Sequence, residues 1–260
     1  MAVTQKNRKI QVSTPLAEDT LLFYQMYGRE GLSEPFEYRL ELVSEDRAID
    51  PQKILGEPIN VRLQLDNGNW QYFNGYVSRF SQYGDLNGFA HYFTSDRPWL
   101  WFLTRTSNCR IFQNKSVPEI IKQVFQDHGF SDFKVKLNGN YTTREYCVQY
   151  CETDFNFVSR LMENEGIYYY FTHEKDKHYL VLADSGSTDR TRNDHIHAWS
   201  FTREVRPGAY ELTDYDFKKP KADLRVKSIL MESQVRRYRR WRERLARFFL
   251  DRMQVIVDKA

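Results

Sequence analysis

The chain has 260 residues, with 28% charged and 15% aromatic side chains, and a mean hydropathy of −0.69. Forty Phe, Tyr and Trp against 12 Gly and 8 Pro exclude a disordered chain and favour folded β-structure. The net charge of +3 is concentrated at one end: residues 231–260 hold eight Arg and one Lys against four acids, so the rest of the chain is slightly acidic, unlike a uniformly nucleic-acid-binding protein.

Met1 to Asp19 carries Lys6, Arg8 and Lys9 with no apolar run behind them, so no secretory leader is expected. No segment approaches the ~20 apolar residues of a membrane-spanning helix. Phe36, Tyr38, Leu40 and Leu42 alternate with polar or charged residues, which predicts a half-buried strand. Val61, Leu63 and Leu65 repeat the pattern before Asn67-Gly68, a hairpin signal. A two-residue loop there would set Leu65 opposite Trp70 and Leu63 opposite Tyr72. Further strands are predicted at 72–83 and 89–94, with a turn over Asp85–Gly88.

Beyond Arg97 the period changes. Ser116-Val117-Pro118-Glu119 reads as a capping box. Val117, Ile120, Ile121, Val124 and Phe125 then form one helical stripe, stopped at His128-Gly129. A second helix runs from a Thr153 cap through Phe157, Val158, Leu161 and Met162 to Gly166. Strands are predicted at 167–172 and 179–183, and again at 196–204, 209–217 and 223–230, with Pro207-Gly208 turning between the first two of the later set. In the basic tail, Tyr238, Trp241, Leu245, Phe248 and Phe249 share one stripe, the pattern of a basic amphipathic helix.

The motifs of catalysis are missing: no Walker loop, dinucleotide turn, nucleophile elbow or His-Glu-x-x-His occurs. Cys109, Cys147 and Cys151 lack zinc spacing and read as small buried side chains. His195 and His197 read as a rim pair without a third ligand, and His173 and His178 as exposed residues flanking a turn. Glu152 and Asp154 are near enough for a carboxylate pair, but Asp154 at a helix start is explained by the helix dipole. Glu163 and Glu165 read as a solvated helix face. No catalytic, cofactor-binding or metal-binding residue is assigned, and no cofactor is expected.

Three ordered stretches carry a resemblance. The first is Phe23 to Val43, with Gly28, Glu30, Gly31, Leu32 and Ser33 before Phe36–Leu40. The second is Arg97-Pro98-Trp99-Leu100-Trp101-Phe102-Leu103, running on through Cys109 to Ile121. The third is Tyr141 to Tyr168. With Leu212 to Pro220, they resemble the N-terminal hub region of VgrG, the spike family of bacterial type VI secretion.

The resemblance implies an α+β, β-dominated fold. Antiparallel barrel-like tube modules would flank an α+β insertion, with a helix at the C-terminus. The implied divisions are a first tube module at 1–104, the insertion at 105–172, a partial second module at 173–230 and a basic helical tail at 231–260. It also implies a structural role, capping the hexameric Hcp tube and helping deliver effectors into target cells. The partners it implies are Hcp, other copies in a trimer, baseplate proteins and effectors or adaptors, with no nucleic acid and no membrane span. Assembly would be cytoplasmic and export would follow through the secretion apparatus. Family members continue into a further barrel and a β-helix needle, so a chain ending at Ala260 is expected to be a truncated copy. Two other readings stand beside it: a binding module whose basic helix docks on an anionic partner, and a spike-associated hydrolase.

Overall fold

The computed structural model describes residues 3–185, 209–213 and 219–229. The chain divides into two units, Met1–Thr191 and Arg192–Ala260. The first unit opens with the short strand β1 (Ile10–Ser13), β2 (Leu22–Gly31), β3 (Glu34–Ser44), β4 (Pro58–Gln64), β5 (Trp70–Leu86) and β6 (Phe89–Arg97). They form one six-stranded sheet in the order β1-β4-β5-β6-β3-β2, and every neighbouring pair is antiparallel.

The predicted alternation on β3 holds. Phe36, Tyr38, Leu40 and Leu42 are buried. Tyr38, Leu40 and Leu42 lie opposite Asp96, Thr94 and Tyr92 of β6. Leu40, Leu42 and Tyr92 join Val12, Leu21, Ile54, Ile59, Val61 and Val77 in one core beneath the sheet. The sheet curls into a half-barrel, and near its open side Arg8 Nη1 donates to the Phe23 carbonyl at 3.4 Å. The outer edge of β1 is filled by a side chain. Gln5 Nε2 donates to the Val12 carbonyl at 2.7 Å, and the Val12 N–H donates to Gln5 Oε1 at 2.9 Å.

The hairpin at Asn67-Gly68 has a different register from the one expected. The Leu65 N–H donates to the Asn69 carbonyl at 2.8 Å and the Gly68 N–H to the Leu65 carbonyl at 2.9 Å. Gln64 lies opposite Trp70 and Leu63 opposite Gln71. The loop is therefore three residues, Asp66-Asn67-Gly68, with Gly68 at φ +82°. This is the geometry of a turn followed by a left-handed bulge residue. The next hairpin turns at Asn87-Gly88, where both φ angles are positive.

A 3₁₀ turn over Trp99–Thr104 leads to β7 (Ser107–Lys115), α1 (Val117–Asp127), β8 (Phe133–Lys136), β9 (Arg144–Thr153) and α2 (Asp154–Glu165). Both helices form where their stripes and caps predict. Glu119 accepts the Ser116 N–H at 2.7 Å, and the Thr153 hydroxyl accepts the Asn156 N–H at 3.1 Å. Val117, Ile120, Ile121, Val124 and Phe125 of α1 are fully buried with Phe157, Val158, Leu161 and Met162 of α2. Trp99, Leu100 and Leu103 close this second core.

The next strands are β10 (Tyr168–His173) and β11 (His178–Ala183). They pair antiparallel from Tyr168↔Ala183 to His173↔His178, so this hairpin spans residue 172, the expected end of the insertion. β11 also pairs with β8, in parallel. The small sheet is thus mixed, because the chain crosses over through β9 and α2 before returning beside β8. β7 and β9 form a separate antiparallel ribbon.

In the second unit, β12 (Ala209–Leu212) pairs antiparallel with β13 (Val226–Ile229). Arg225 Nε lies 3.4 Å from Glu211 Oε1. These strands fall within two predicted ones. The strand expected at 196–204, His195 and His197, the Pro207-Gly208 turn and the helix at 231–260 lie outside the described residues.

Candidate functional site

Two outward surfaces of the first unit carry apolar side chains. The β7–β9 ribbon buries Phe112, Cys147 and Gln149 on one face. Its other face presents Ile111, Tyr146, Val148 and Tyr150, the last 77% exposed. β2 is the far edge of the large sheet, and it presents Tyr24 and Tyr27, with Leu32 at the tip of its hairpin. Backbone polar groups along an edge and apolar side chains over it are what a neighbouring chain can bind.

Beneath the ribbon lies a buried polar node. Asp154 is fully buried and accepts from Thr106 Oγ1 at 2.9 Å, Arg110 Nη2 at 2.7 Å and Gln149 Nε2 at 2.7 Å. Asn108 Nδ2 lies 3.1 Å and His128 Nε2 2.7 Å from the same carboxylate. Burial alone would push the Asp154 carboxyl up. The hydrogen bonds from Gln149, His128, Asn108 and Thr106 outweigh it and hold the group at about 2. This charge is fixed where α2 meets β7, β9 and the end of α1, and is committed to packing, with the helix dipole only a part of its environment. Sequence reasoning saw the helix start and missed the donors, which come from three other elements. Glu152 does not join Asp154; it pairs with Arg160 at 2.6 Å. Glu163 is exposed, while Glu165 is half-buried against Arg144 at 2.6 Å.

In the β10–β11 hairpin His178 is buried and His173 half-buried, contrary to the expectation of exposure. His178 is 3% exposed, and its Nε2 accepts the Trp99 N–H at 3.1 Å. Burial, with His173 nearby, pulls it down to about 3, so it stays neutral. His173 Nδ1 accepts the Asn74 N–H at 3.0 Å, and its Nε2 lies 3.1 Å from the Tyr38 hydroxyl. The hairpin lies over the curled sheet, and that contact covers what a turn alone would leave in water.

Of the cysteines only Cys147 is buried, whereas Cys109 and Cys151 are exposed; the expectation of three buried thiols fails at two of them. A cavity of about 410 Å³ opens beside β1 and β4, and its lining, which includes Arg62, Tyr72 and Lys175, contains no His or Cys. Among the described residues, no group of three or more His, Cys, Asp or Glu could hold a metal ion. No helix among them is long and apolar enough to cross a membrane.

Residues 29–248 match the model of the phage tail baseplate hub (GPD) family. The chain belongs to that family. It is 47% identical over 251 residues to the type VI secretion system spike protein VgrG1b of Pseudomonas aeruginosa, covering 90% of this chain and 34% of that protein. It is 48% identical over 241 residues to VgrG1a of the same organism, covering 86% and 38%. The solved structure of the E. coli c3393 protein aligns with a TM-score of 0.58 at 26% identity, over 76% of this chain and 56% of that one. That protein is described as a component of the type VI secretion system with structural similarity to the T4 phage tail proteins gp27 and gp5. The β-dominated fold with a curled antiparallel sheet agrees with these neighbours. The chain spans about a third of the length of the curated relatives it matches.

Proposed function

We propose that this chain is the hub part of a type VI secretion spike, a structural element that joins other tail proteins and performs no chemistry of its own. The hub-family match across residues 29–248 carries the reading, and the identity to two spike proteins supports it. In this reading three copies, each with two similar β modules, offer six-fold pseudo-symmetry to a hexameric Hcp ring. Equivalent contacts can then form at every position of the ring. In this reading the modules are residues 1–104 and a partial second one at 173–230, whose first hairpin is completed by β10, and the α+β region lies between them. The exposed apolar face of β7–β9 and the edge of β2 supply surface for neighbouring chains. Assembly takes place in the cytoplasm, and export follows through the apparatus.

The test is a chimera. Residues 1–230 replace the matching region of P. aeruginosa VgrG1b in a strain lacking its own spike proteins, and release of Hcp into the medium is measured. Restored Hcp release supports the reading. A chimera that is soluble and trimeric yet releases no Hcp overturns it.

A further inference from the structure

Cys109 and Cys151 meet at an irregularity of the β7–β9 ribbon. The pairing passes from Asn108↔Glu152 to Arg110↔Gln149, so Cys109 on one strand faces two residues, Tyr150 and Cys151, on the other. Such a bulge re-aims the side chain of its extra residue. Cys151 takes the left-handed backbone, with φ 48°. The two sulfurs come to 3.5 Å, and the Cys151 N–H donates to Cys109 Sγ at 3.3 Å. Both residues are exposed, and the third cysteine, Cys147, is buried.

We propose that Cys109 and Cys151 are a redox-active dithiol, a modification site that closes into an intramolecular disulfide by exchange with a small-molecule disulfide. The separation of 3.5 Å has to shrink to about 2.0 Å, a movement of side chains already side by side on paired strands. The order of events follows from the local bonds. The hydrogen bond with Cys109 pushes the Cys151 thiol up, and the Cys151 N–H points at the Cys109 sulfur, so Cys109 attacks first. Its thiolate displaces one half of the reagent, breaking the reagent's S–S bond and leaving a mixed disulfide on Cys109; the displaced thiolate takes up a proton. Cys151 then loses its proton and attacks the Cys109 sulfur, releasing the second half as a thiol. Two protein thiols are oxidised and one reagent disulfide is reduced to two thiols. The bond formed ties β7 to the end of β9, two residues ahead of the Thr153 cap of α2.

The experiment uses the full chain, oxidised glutathione and intact-mass spectrometry followed by peptide mapping. The wild type is expected to lose the mass of two hydrogens, with the bond mapped between Cys109 and Cys151 and Cys147 still alkylated after unfolding. C151S is expected to stop at a glutathione adduct on Cys109. Phenylarsine oxide, which needs two adjacent thiols, is expected to bind the reduced wild type and neither C109S nor C151S. The proposal is overturned if the wild type also stops at the adduct, if the bond includes Cys147 or joins two chains, or if the arsenical binds C109S or C151S as well as it binds the wild type.

Discussion

Two buried aspartates in the first unit have opposite electrostatics, and each sets a pH dependence. Asp154 is held at about 2 by its donors. Its stabilisation is complete above the unfolded value near 4 and is lost as pH falls toward 2. Removing one side of a buried charged network costs about 3–5 kcal/mol. We expect Asp154→Asn to lower stability by about 3 kcal/mol at neutral pH in urea denaturation, with the gap to wild type closing below pH 4. Asp96 is 2% exposed, and its Oδ1 has no hydrogen-bond partner among the described residues. Burial pushes it up to about 8. Between the unfolded value near 4 and about 8, the unfolded chain gives up a proton that the folded one keeps, so stability falls as pH rises. The loss is roughly 4 kcal/mol by pH 7. Asp96→Asn keeps the shape without the proton, so we expect it to raise the melting temperature at pH 8 and leave it nearly unchanged at pH 4. Neither role was legible in the sequence. Thr106, Asn108, Arg110, His128 and Gln149 reach Asp154 only once β7, α1 and β9 have packed, and Asp96 reads like any polar residue on a strand.

At the level of elements, local signals were read well where one face is apolar and the other polar. The alternation of β3, the stripe of α1 and the caps of both helices were visible for that reason. β7 and β9 were not assigned as strands. Their buried face holds Phe112 and Cys147 while their outer face holds Ile111, Val148 and Tyr150, so no clean alternation marks them. The hairpin after β4 was found one residue out of register, since Asn-Gly serves a two-residue loop and the end of a three-residue loop alike. In either loop Gly68 has to be left-handed. A Cβ there meets nothing within 4 Å, so the penalty of Gly68→Val is backbone strain alone, about 1–2 kcal/mol. We expect a matching fall in the urea midpoint with an unchanged slope. An unaltered midpoint means that the turn has another geometry.

On the scale of the whole molecule, the hub family was legible because long motifs keep their order along the chain. The strand order β1-β4-β5-β6-β3-β2 was not, because it depends on pairings such as Val12 with Val61 that no local pattern records. The exposed face of β7–β9 makes a prediction about association. We expect the isolated chain to be a monomer or a weakly associating species at micromolar concentration by sedimentation. Ile111→Glu with Tyr150→Glu is expected to reduce binding of a hydrophobic dye while leaving the melting temperature unchanged, since both side chains stand in water. The amide of Gln5 has a consequence of another kind. Growth of a fibre by strand addition requires two reactive ends on each monomer, as a linear polymer does. In the six-stranded sheet, Gln5 already occupies the backbone groups of Val12 on the β1 side, so among the described residues β2, touched near its start by Arg8, is the more open edge for a visitor. Gln5 is thus a chain terminator in the polymer chemist's sense: an incoming strand can be added once, and propagation stops there.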